Sequence, residues 1–376
     1  METLQISPRI LNWAADKRGL SLDELVDLLD NPQKHDDLVA GKFSITDAEK
    51  FAKKAHIPFG YLFLEQPPDT EQRTLPDLRQ VPDHVLLSSD FFAVLDDVLR
   101  KQDWYLEYLQ EQGAEKLAFV GKYPFSRQLE VEAIATDIVE TLDLTEQERK
   151  QCKDYKDFFS LLSIKAEKIG ILVFKSSIVQ SNTRRSLSVN EFRGFAIADP
   201  LAPLIFINGK DSEAAWIFTL AHEIAHIWLG ESGVSDIPVK KQPDNNKVEV
   251  LCNRIAAEIL TPRKQFLKSW NETKMPDFTQ LSKYFNVSQL VIARRAFDLG
   301  KINWQTYQDI AEKSKARKAA GGGDAYRNYP IRNSKRFTKA IVTQAMSGHT
   351  MLREVASLLN VKPDTVMELS KRLSLR

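Results

Sequence analysis

Hydrophobic residues recur at helical spacing through the first 66 residues of the chain. The pattern predicts three short helices in this region. Ser21 and Glu24 form a capping box before the second helix, and the third extends from near Thr46 to Ala55.

A change in composition follows the N-terminal helices. Residues 66–83 are polar and rich in proline, which is typical of a linker or of a strap across a protein surface. A helical period returns from Leu86 to about Gln112, and residues 129–170 also have a helical pattern.

The pattern changes to β-type after Gly170. Three short apolar runs are bounded by turn-forming residues, namely 171–174, 192–198 and 204–207. Asp211 and Ser212 then precede a long apolar helix that continues through Trp228, and a second apolar helix covers Val248–Leu260. Strands flanked by helices in this order predict an α+β unit.

Two further helical pairs are predicted toward the C-terminus. Residues 278–300 have a turn at Asn286–Ser288, and residues 350–373 have a turn at Asn360–Pro363. The whole chain is therefore predicted to be mostly helical, with one small sheet and flanking helix-turn-helix-like bundles. The predicted boundaries are 1–66, 67–125 (linker and helical strap), 126–270, 271–312 and 313–376.

Composition narrows the class of protein. Lys and Arg number 52 against 51 Asp and Glu, so the chain as a whole is not a basic nucleic-acid-binding protein. Only Cys152 and Cys252 occur, which excludes a disulfide framework and a zinc site built mainly from thiolates. The N-terminus lacks a signal-peptide pattern, and three ionisable residues interrupt the most apolar stretch, 214–229. We therefore expect a cytoplasmic protein without a membrane span.

The segment His222-Glu-Ile-Ala-His226 lies inside the long apolar helix. Because residues four apart share a helix face, both imidazoles can hold one tetrahedral ion. Glu223 lies about 100° round the helix, where it can act as general base on a water bound to that ion. The alternative is a set of polar groups that satisfy each other in the core. The apolar flanks favour the metal site, because buried ionisable groups are costly unless satisfied together.

The next helix offers the third ligand that a catalytic zinc ion requires. Glu249 and Glu258 lie about 180° apart on that helix, so only one can face the ion. Glu249 is on the apolar face, whereas Glu258 is at its edge, where an exposed ion pair with Arg254 explains it. Glu249 is therefore the predicted ligand. Asn253 is predicted either to hydrogen-bond to the site or to pack between helices.

This set of residues predicts hydrolysis of a peptide bond. Zinc lowers the pKa of its water towards ~7, Glu223 takes the proton, and the hydroxide attacks a carbonyl that the ion polarises. The substrate is expected to add as a strand to an exposed sheet edge, with residues 192–198 or 204–207 as the candidate edge.

Three separated blocks resemble the ImmA/IrrE family of zinc metallopeptidases over residues 165–265. They are Gly194–Pro200 continuing to Asn208-Gly209, Phe218–His226, and Glu249–Pro262 with Asn253 and Ala257. The resemblance implies a gluzincin-like α+β fold with a small zincin-like sheet, zinc bound by His222, His226 and Glu249, and a catalytic Glu223. It also implies a narrow substrate, typically an XRE-type helix-turn-helix repressor whose cleavage derepresses stress or mobile-element genes.

The N-terminal helices resemble the XRE-type helix-turn-helix unit that is fused to many such peptidases, mainly along Arg18–Val26. However, the expected recognition helix, Asn31–Val39, contains Asp36 and Asp37. Residues 1–66 have eight Lys/Arg against eleven Asp/Glu, which disfavours contact with phosphates. A role in protein docking or in structure therefore stands beside DNA binding.

Two further segments resemble helix-turn-helix units. Residues 281–295 are similar to the helical module that follows the peptidase in this family, or form a packing bundle. Residues 352–366 have helix-turn-helix spacing beside a basic run, 313–339, with nine Lys/Arg and one acid. The candidate nucleic-acid contacts are Lys335, Arg336, Lys339 and Lys362, and a solvated charge run is the alternative.

Two functions follow from these patterns. The first is a zinc endopeptidase that cleaves a regulatory protein. The second is a DNA-binding regulator or antitoxin whose peptidase-like domain binds a toxin, since relatives with this layout resemble partners of toxins such as PIN-like ribonucleases. The complete set of hydrolytic residues favours the enzyme.

Overall fold

The protein is described by a computed structural model over residues 4–16, 20–55, 57, 59–67, 87–126, 129–235, 247–271, 277–315 and 332–374. These residues form two compact units. The first comprises the described residues up to 67 together with 87–96, and the second begins at Asp97.

The first unit is a helical bundle with a two-stranded sheet. Strands β1 (Leu4–Gln5) and β2 (Lys42–Phe43) pair in antiparallel fashion. The helices are α1 (Pro8–Asp16), α2 (Leu22–Asp27), α3 (His35–Val39) and α4 (Ile45–Ala55). The capping box predicted before α2 is present, since Ser21 Oγ accepts from the Glu24 N–H and the Ser21 N–H donates to the Glu24 carboxylate. The expected recognition helix divides into a 3-10 turn, Pro32–Lys34, and the five-residue α3.

Four helices precede the main sheet. They are α5 (Ser89–Glu111), α6 (Val131–Thr141), α7 (Glu146–Gln151) and α8 (Tyr155–Lys168). Thr145 and Glu148 form a capping box at α7, and the Asp154 side chain caps α8. These local stop and start signals divide the long helical pattern over 129–170 into three helices.

The main sheet is mixed and has four strands. They are β3 (Leu172–Ser176), β6 (Gly194–Ile197), β7 (Leu204–Asn208) and β8 (Gly233–Ser235), in the order β3-β7-β6-β8. Strand β7 is parallel to β3 and antiparallel to β6, and β8 is antiparallel to β6. A separate hairpin pairs β4 (Ile178–Val179) with β5 (Asn182–Ser186).

The long apolar helix α9 (Glu213–Leu229) packs on this sheet, and α10 (Lys247–Leu260) packs on α9. Helices α11 (Arg263–Asn271), α12 (Phe278–Phe285), α13 (Gln289–Asp298) and α14 (Trp304–Lys315) follow. One apolar core joins the sheet to helices from α6 to α13. A core that is shared by so many elements fixes α9 and α10 relative to the strands.

The last three helices form a C-terminal module, which we define as residues 332–374. Helices α15 (Lys335–Met346), α16 (Leu352–Leu358) and α17 (Pro363–Ser374) pack on each other. The module contacts α5, α8 and β3, where Phe337 meets Trp104, Tyr105 and Phe174. The turn between α16 and α17 contains Asn360 with a positive φ of 56°.

The predicted fold class, α+β and mostly helical with one small sheet, is confirmed. The predicted sheet edge is wrong. Among the described residues β7 lies between β3 and β6, and β6 lies between β7 and β8, so the outer strands are β3 and β8. The sequence pattern did not reveal β8, because three residues are too few to establish a period.

Two parts of the predictions lie outside the described residues. They are most of the proline-rich linker, 68–83, and the middle of the basic run, 316–331, with its three glycines. The five-part division of the chain stays a prediction. Within the described residues, no helix has the length and apolar character needed to cross a membrane.

Candidate metal centre and catalytic carboxylate

The C-terminal end of helix α9 is held by a neighbouring segment of the chain. Ser212 is the N-cap residue, and Gly230 ends the helix in the left-handed region at φ 73°. The N–H groups of Gly121 and Tyr123 donate to the carbonyls of Ile227 and Trp228, at 2.9 and 3.0 Å. These carbonyls belong to the last turn of α9, where the regular hydrogen bonds of a helix run out. The segment that follows α5 therefore completes the C-terminal end of α9.

The same end of α9 is fixed by Trp228. Its indole stacks on Phe119 with ring centroids 4.5 Å apart, and its Nε1 donates to Asp137 Oδ2 at 2.9 Å. Every residue from Ile217 to Leu229 is buried. A helix that is buried on all sides cannot rotate or slide without losing packing, so the positions of its polar side chains are fixed.

Helix α10 brings Glu249 to the two histidines of α9. Glu249 Oε2 lies 3.1 Å from His222 Nε2, and Glu249 Oε1 lies 3.0 Å from His226 Nε2. The two Nε2 atoms are 3.1 Å apart. All three side chains have no solvent-exposed surface. The predicted ligand set therefore converges on one point in the core.

Asn253 lies one turn after Glu249 on α10. Its Oδ1 is 3.0 Å from His222 Nδ1. A carbonyl oxygen can only accept, so this contact requires a proton on His222 Nδ1. In the neutral ring the lone pair is then on Nε2, the atom that would bind a metal ion. Asn253 thus sets both the tautomer and the ring orientation of His222.

Burial and charge act in opposite directions on these groups. Burial lowers the pKa of His226. Burial also acts to lower the pKa of His222, but the charge and hydrogen bond of Glu249 outweigh it and raise that pKa. Burial acts to raise the pKa of Glu249, but the two histidines outweigh it and hold its pKa at about 2. Glu249 is therefore a carboxylate at neutral pH, the form that binds a cation.

Glu223 is also fully buried, and its carboxylate lies against strand β6. A Cβ atom on Gly194 would stand 2.8 Å from Glu223 Oε1 and 2.7 Å from Thr219 Cγ2. Only a residue without a side chain leaves this space. The sequence analysis included Gly194 in a segment that resembles the ImmA/IrrE family but predicted no role for this residue. The available signal was a glycine inside a predicted strand, which often marks a close approach.

The other candidate carboxylate, Glu258, lies away from this point. It pairs with Arg295 of α13, and its Oε1 accepts from the Arg263 N–H at 2.8 Å. The expected exposed pair with Arg254 is wrong. Arg295 reaches the C-terminal end of α10, where its Nε also donates to the Thr261 carbonyl, so α13 supplies the partner and the pair is largely buried.

The candidate nucleic-acid residues differ in their surroundings. Lys335, Lys339 and Lys362 are exposed. Arg336 is half-buried, because its Nε donates to Tyr105 Oη at 2.7 Å and its Nη1 donates to the Glu167 carbonyl at 3.0 Å. Arg336 is thus engaged within the fold. A role of these four residues in nucleic-acid binding stays a prediction.

The residues at the site fit a zinc ion. Two imidazole nitrogens and one carboxylate oxygen are the donors of a catalytic zinc site with one open position. Their ligand atoms all lie within 4.8 Å of one another, and within the described ranges no other group of three or more such residues does so. Atoms about 2.0–2.1 Å from a shared tetrahedral ion would be roughly 3.3 Å apart, close to the observed spacing.

Comparison with known families gives two matches. Residues 166–297 match the family described as IrrE N-terminal-like domain, and residues 333–372 match a domain of unknown function (DUF8813). The first match contains His222, Glu223, His226 and Glu249, and over residues 166–297 it confirms the predicted resemblance to the ImmA/IrrE family. No curated protein and no solved structure matched the chain.

Proposed function

Since residues 166–297 carry an IrrE N-terminal-like domain, we propose that the protein is a zinc-dependent endopeptidase that cleaves one specific regulatory protein. The observation that carries the proposal is the convergence of His222, His226 and Glu249 within about hydrogen-bond distance, beside the buried Glu223. Three ionisable side chains buried together are costly unless a ligand or each other satisfies them, and this donor set is suited to zinc.

Each residue has a distinct role in the proposed reaction. His222, His226 and Glu249 would hold the zinc ion, and Asn253 orients His222. The ion, when bound, supplies a Lewis acid that polarises a carbonyl and lowers the pKa of a water towards ~7. Glu223 accepts the proton of the attacking water. It follows His222 on α9, about 100° round the helix, so it is next to the ligands without being one of them.

The sheet suggests where a peptide substrate would add. Strand β8 is an outer strand of the described sheet, and it pairs with β6 at Gly194, the residue against the Glu223 carboxylate. A peptide that extends the sheet along β8 would therefore lie on the side of the sheet nearest the catalytic carboxylate. An XRE-type helix-turn-helix repressor is the proposed substrate, and this choice rests on the family resemblance.

Metal analysis combined with a cleavage assay tests the proposal. Wild-type protein, Glu223→Gln and the control Glu140→Gln, an exposed position on α6, would be purified and analysed for zinc. Each would be co-expressed with XRE-type repressors encoded beside its gene. We expect about one zinc per chain in all three and cleavage by wild type and Glu140→Gln only. Equal cleavage by Glu223→Gln would exclude Glu223 as the base.

A regulatory or antitoxin role is the second candidate, and one observation favours it. The C-terminal module exposes Lys335, Lys339 and Lys362, and its α16 and α17 have the order of a helix-turn-helix. Binding to the promoter of its own operon would weaken steeply with salt, because phosphate contacts release counterions. A binding constant that does not change between low and high salt would remove this candidate, as would unchanged binding after Lys339→Gln with Lys362→Gln.

A further inference from the structure

Lys175 lies on the outer strand β3 in a surrounding that is unusual for an ammonium group. Its Nζ stands 3.5 Å from the ring centroid of Trp216 and 4.7 Å from that of Phe159. Cation–π contacts of this kind offset part of the cost of removing the charge from water. No carboxylate of the described residues lies within 4.0 Å of Lys175, so its charge has no direct counter-ion.

A cavity of about 60 Å³ adjoins this lysine. We call it the Lys175 cavity. The polar residues of its wall are Ser160, Ser163 and Glu167 of α8, Lys175 of β3 and Lys335 of α15, and the rest of the wall is apolar. A single water molecule needs roughly 10–15 Å³ of space measured in the same way, so the cavity has room for one small polyatomic group.

The one acid of the cavity wall, Glu167, binds the C-terminal module through one of its two oxygens. Glu167 Oε1 accepts from Ser334 Oγ at 2.6 Å and from the Lys335 N–H at 2.8 Å, and so caps the N-terminus of α15. The groups that remain are donors, namely the ammonium groups of Lys175 and Lys335 and the hydroxyl of Ser160. The Trp216 Nε1 beside Lys175 is another buried donor with no acceptor in the described residues.

We propose that the Lys175 cavity binds a small oxyanion, a phosphate or carboxylate group, between Lys175 and Lys335. Such a ligand would place acceptor oxygens and a negative charge within direct contact of Lys175, which no carboxylate of the described residues does. The proposal does not depend on the metal centre, because no ligand residue of that centre lines the cavity.

The ionisation of Lys175 is consistent with a missing counter-ion. Burial lowers the pKa of Lys175 to about 8, with Glu213 of α9 acting to raise it and Lys156 of α8 acting to lower it. Glu213 is itself paired with Lys156 at 2.9 Å. From the other sides the charged groups are Glu167 of α8 and Lys335 of α15. A bound anion would raise the pKa of Lys175 and would bind more weakly above about pH 8.

The position of the cavity gives the ligand two effects. Its walls come from α8 and β3 on one side and from the first residue of α15 on the other, so an occupant would join the C-terminal module to the sheet. Trp216, which contacts Lys175, is on α9 six residues before His222. Binding would therefore strengthen the packing of the helix that carries both histidines.

Calorimetric titration of the full chain with sodium phosphate, at pH 7 and constant ionic strength, tests the proposal. Sodium acetate forms a second arm and sodium chloride a third, so that phosphate, carboxylate and a simple salt effect are distinguished. The variants are Lys175→Gln and Lys335→Gln, and the control is Lys268→Gln, an exposed position on α11 outside the cavity wall.

We expect saturable binding of phosphate or acetate to wild type and to Lys268→Gln, and at least a tenfold loss of affinity in the two cavity variants. Since Lys335 is exposed, its variant remains informative if Lys175→Gln fails to fold. The proposal would be overturned if chloride gave the same heat of titration as phosphate and acetate. It would also be overturned if Lys335→Gln bound the anion with unchanged affinity.

Discussion

The Glu223 carboxylate occupies the space that a side chain at Gly194 would need, since a Cβ there would stand 2.8 Å from Glu223 Oε1. A strand residue and a helix residue thus share one small volume in the core. The glycine is required for room, because its φ is not in the left-handed region.

Gly194→Ala is expected to lower peptide cleavage by at least a hundredfold while zinc content stays near one per chain. The new methyl group displaces the Glu223 carboxylate. His222, His226 and Glu249 are not among the residues nearest to that methyl group, so the zinc ligands should stay in place. Cleavage rate and zinc stoichiometry would be measured together. Gly60→Ala is the control, because a Cβ at Gly60 meets no atom within 4 Å. Loss of zinc along with activity would show that the site has collapsed rather than lost its base.

The two glutamates of α10 are expected to separate metal binding from stability. Glu249→Gln removes the anionic ligand, so zinc content should fall close to zero. Glu258→Gln leaves the ligands intact, so zinc content should stay near one, but it breaks a largely buried pair with Arg295 and should cost about 2–4 kcal/mol. Zinc analysis and urea unfolding of both variants check this. Zinc loss in Glu258→Gln instead would reverse the assignment of the ligand.

Lys175→Met is expected to stabilise the protein at pH 7. The pKa of Lys175 is about 8 in the folded state, below its ordinary value of 10.5, so the folded state loses this proton first. Stability in the wild type should therefore rise between about pH 8 and 10.5, where the unfolded chain still holds the proton. The methionine variant should lack this rise and should gain on the order of 2 kcal/mol below pH 8. Urea unfolding of both proteins from pH 7 to 10 measures the difference. Parallel curves would contradict the assignment.

Ser334→Ala is expected to loosen the C-terminal module. Ser334 Oγ donates to the buried Glu167 and accepts from the Phe337 N–H. Its loss leaves the Phe337 N–H unsatisfied and removes one of the two donors to Glu167 Oε1, at a cost of about 1–3 kcal/mol. Hydrogen exchange should become faster in α15 and in the Glu167 turn of α8. The control is Ser347→Ala, at the exposed C-cap of α15. Equal exchange in wild type and Ser334→Ala would show that other contacts hold the module.

The metal ligands were predictable because helices impose a simple geometry on sequence spacing. The four-position spacing of His222 and His226, and the apolar face around Glu249, were sufficient to predict that the three side chains converge. The roles of Gly194, Arg295 and Arg336 were not predictable in this way. Each depends on contact between elements that are far apart in sequence, as between Gly194 and Glu223 or Arg336 and Tyr105.

Helix α9 receives its last hydrogen bonds from Gly121 and Tyr123, which lie more than forty residues before the start of the family match at residue 166. A recombinant fragment cut to the bounds of that match would leave the carbonyls of Ile227 and Trp228 without these donors, and would strip Phe119 from the Trp228 ring. A fragment that keeps these contacts with the histidine-bearing helix must therefore begin before Phe119. The segment that supports the site thus extends beyond the residues that define the family match.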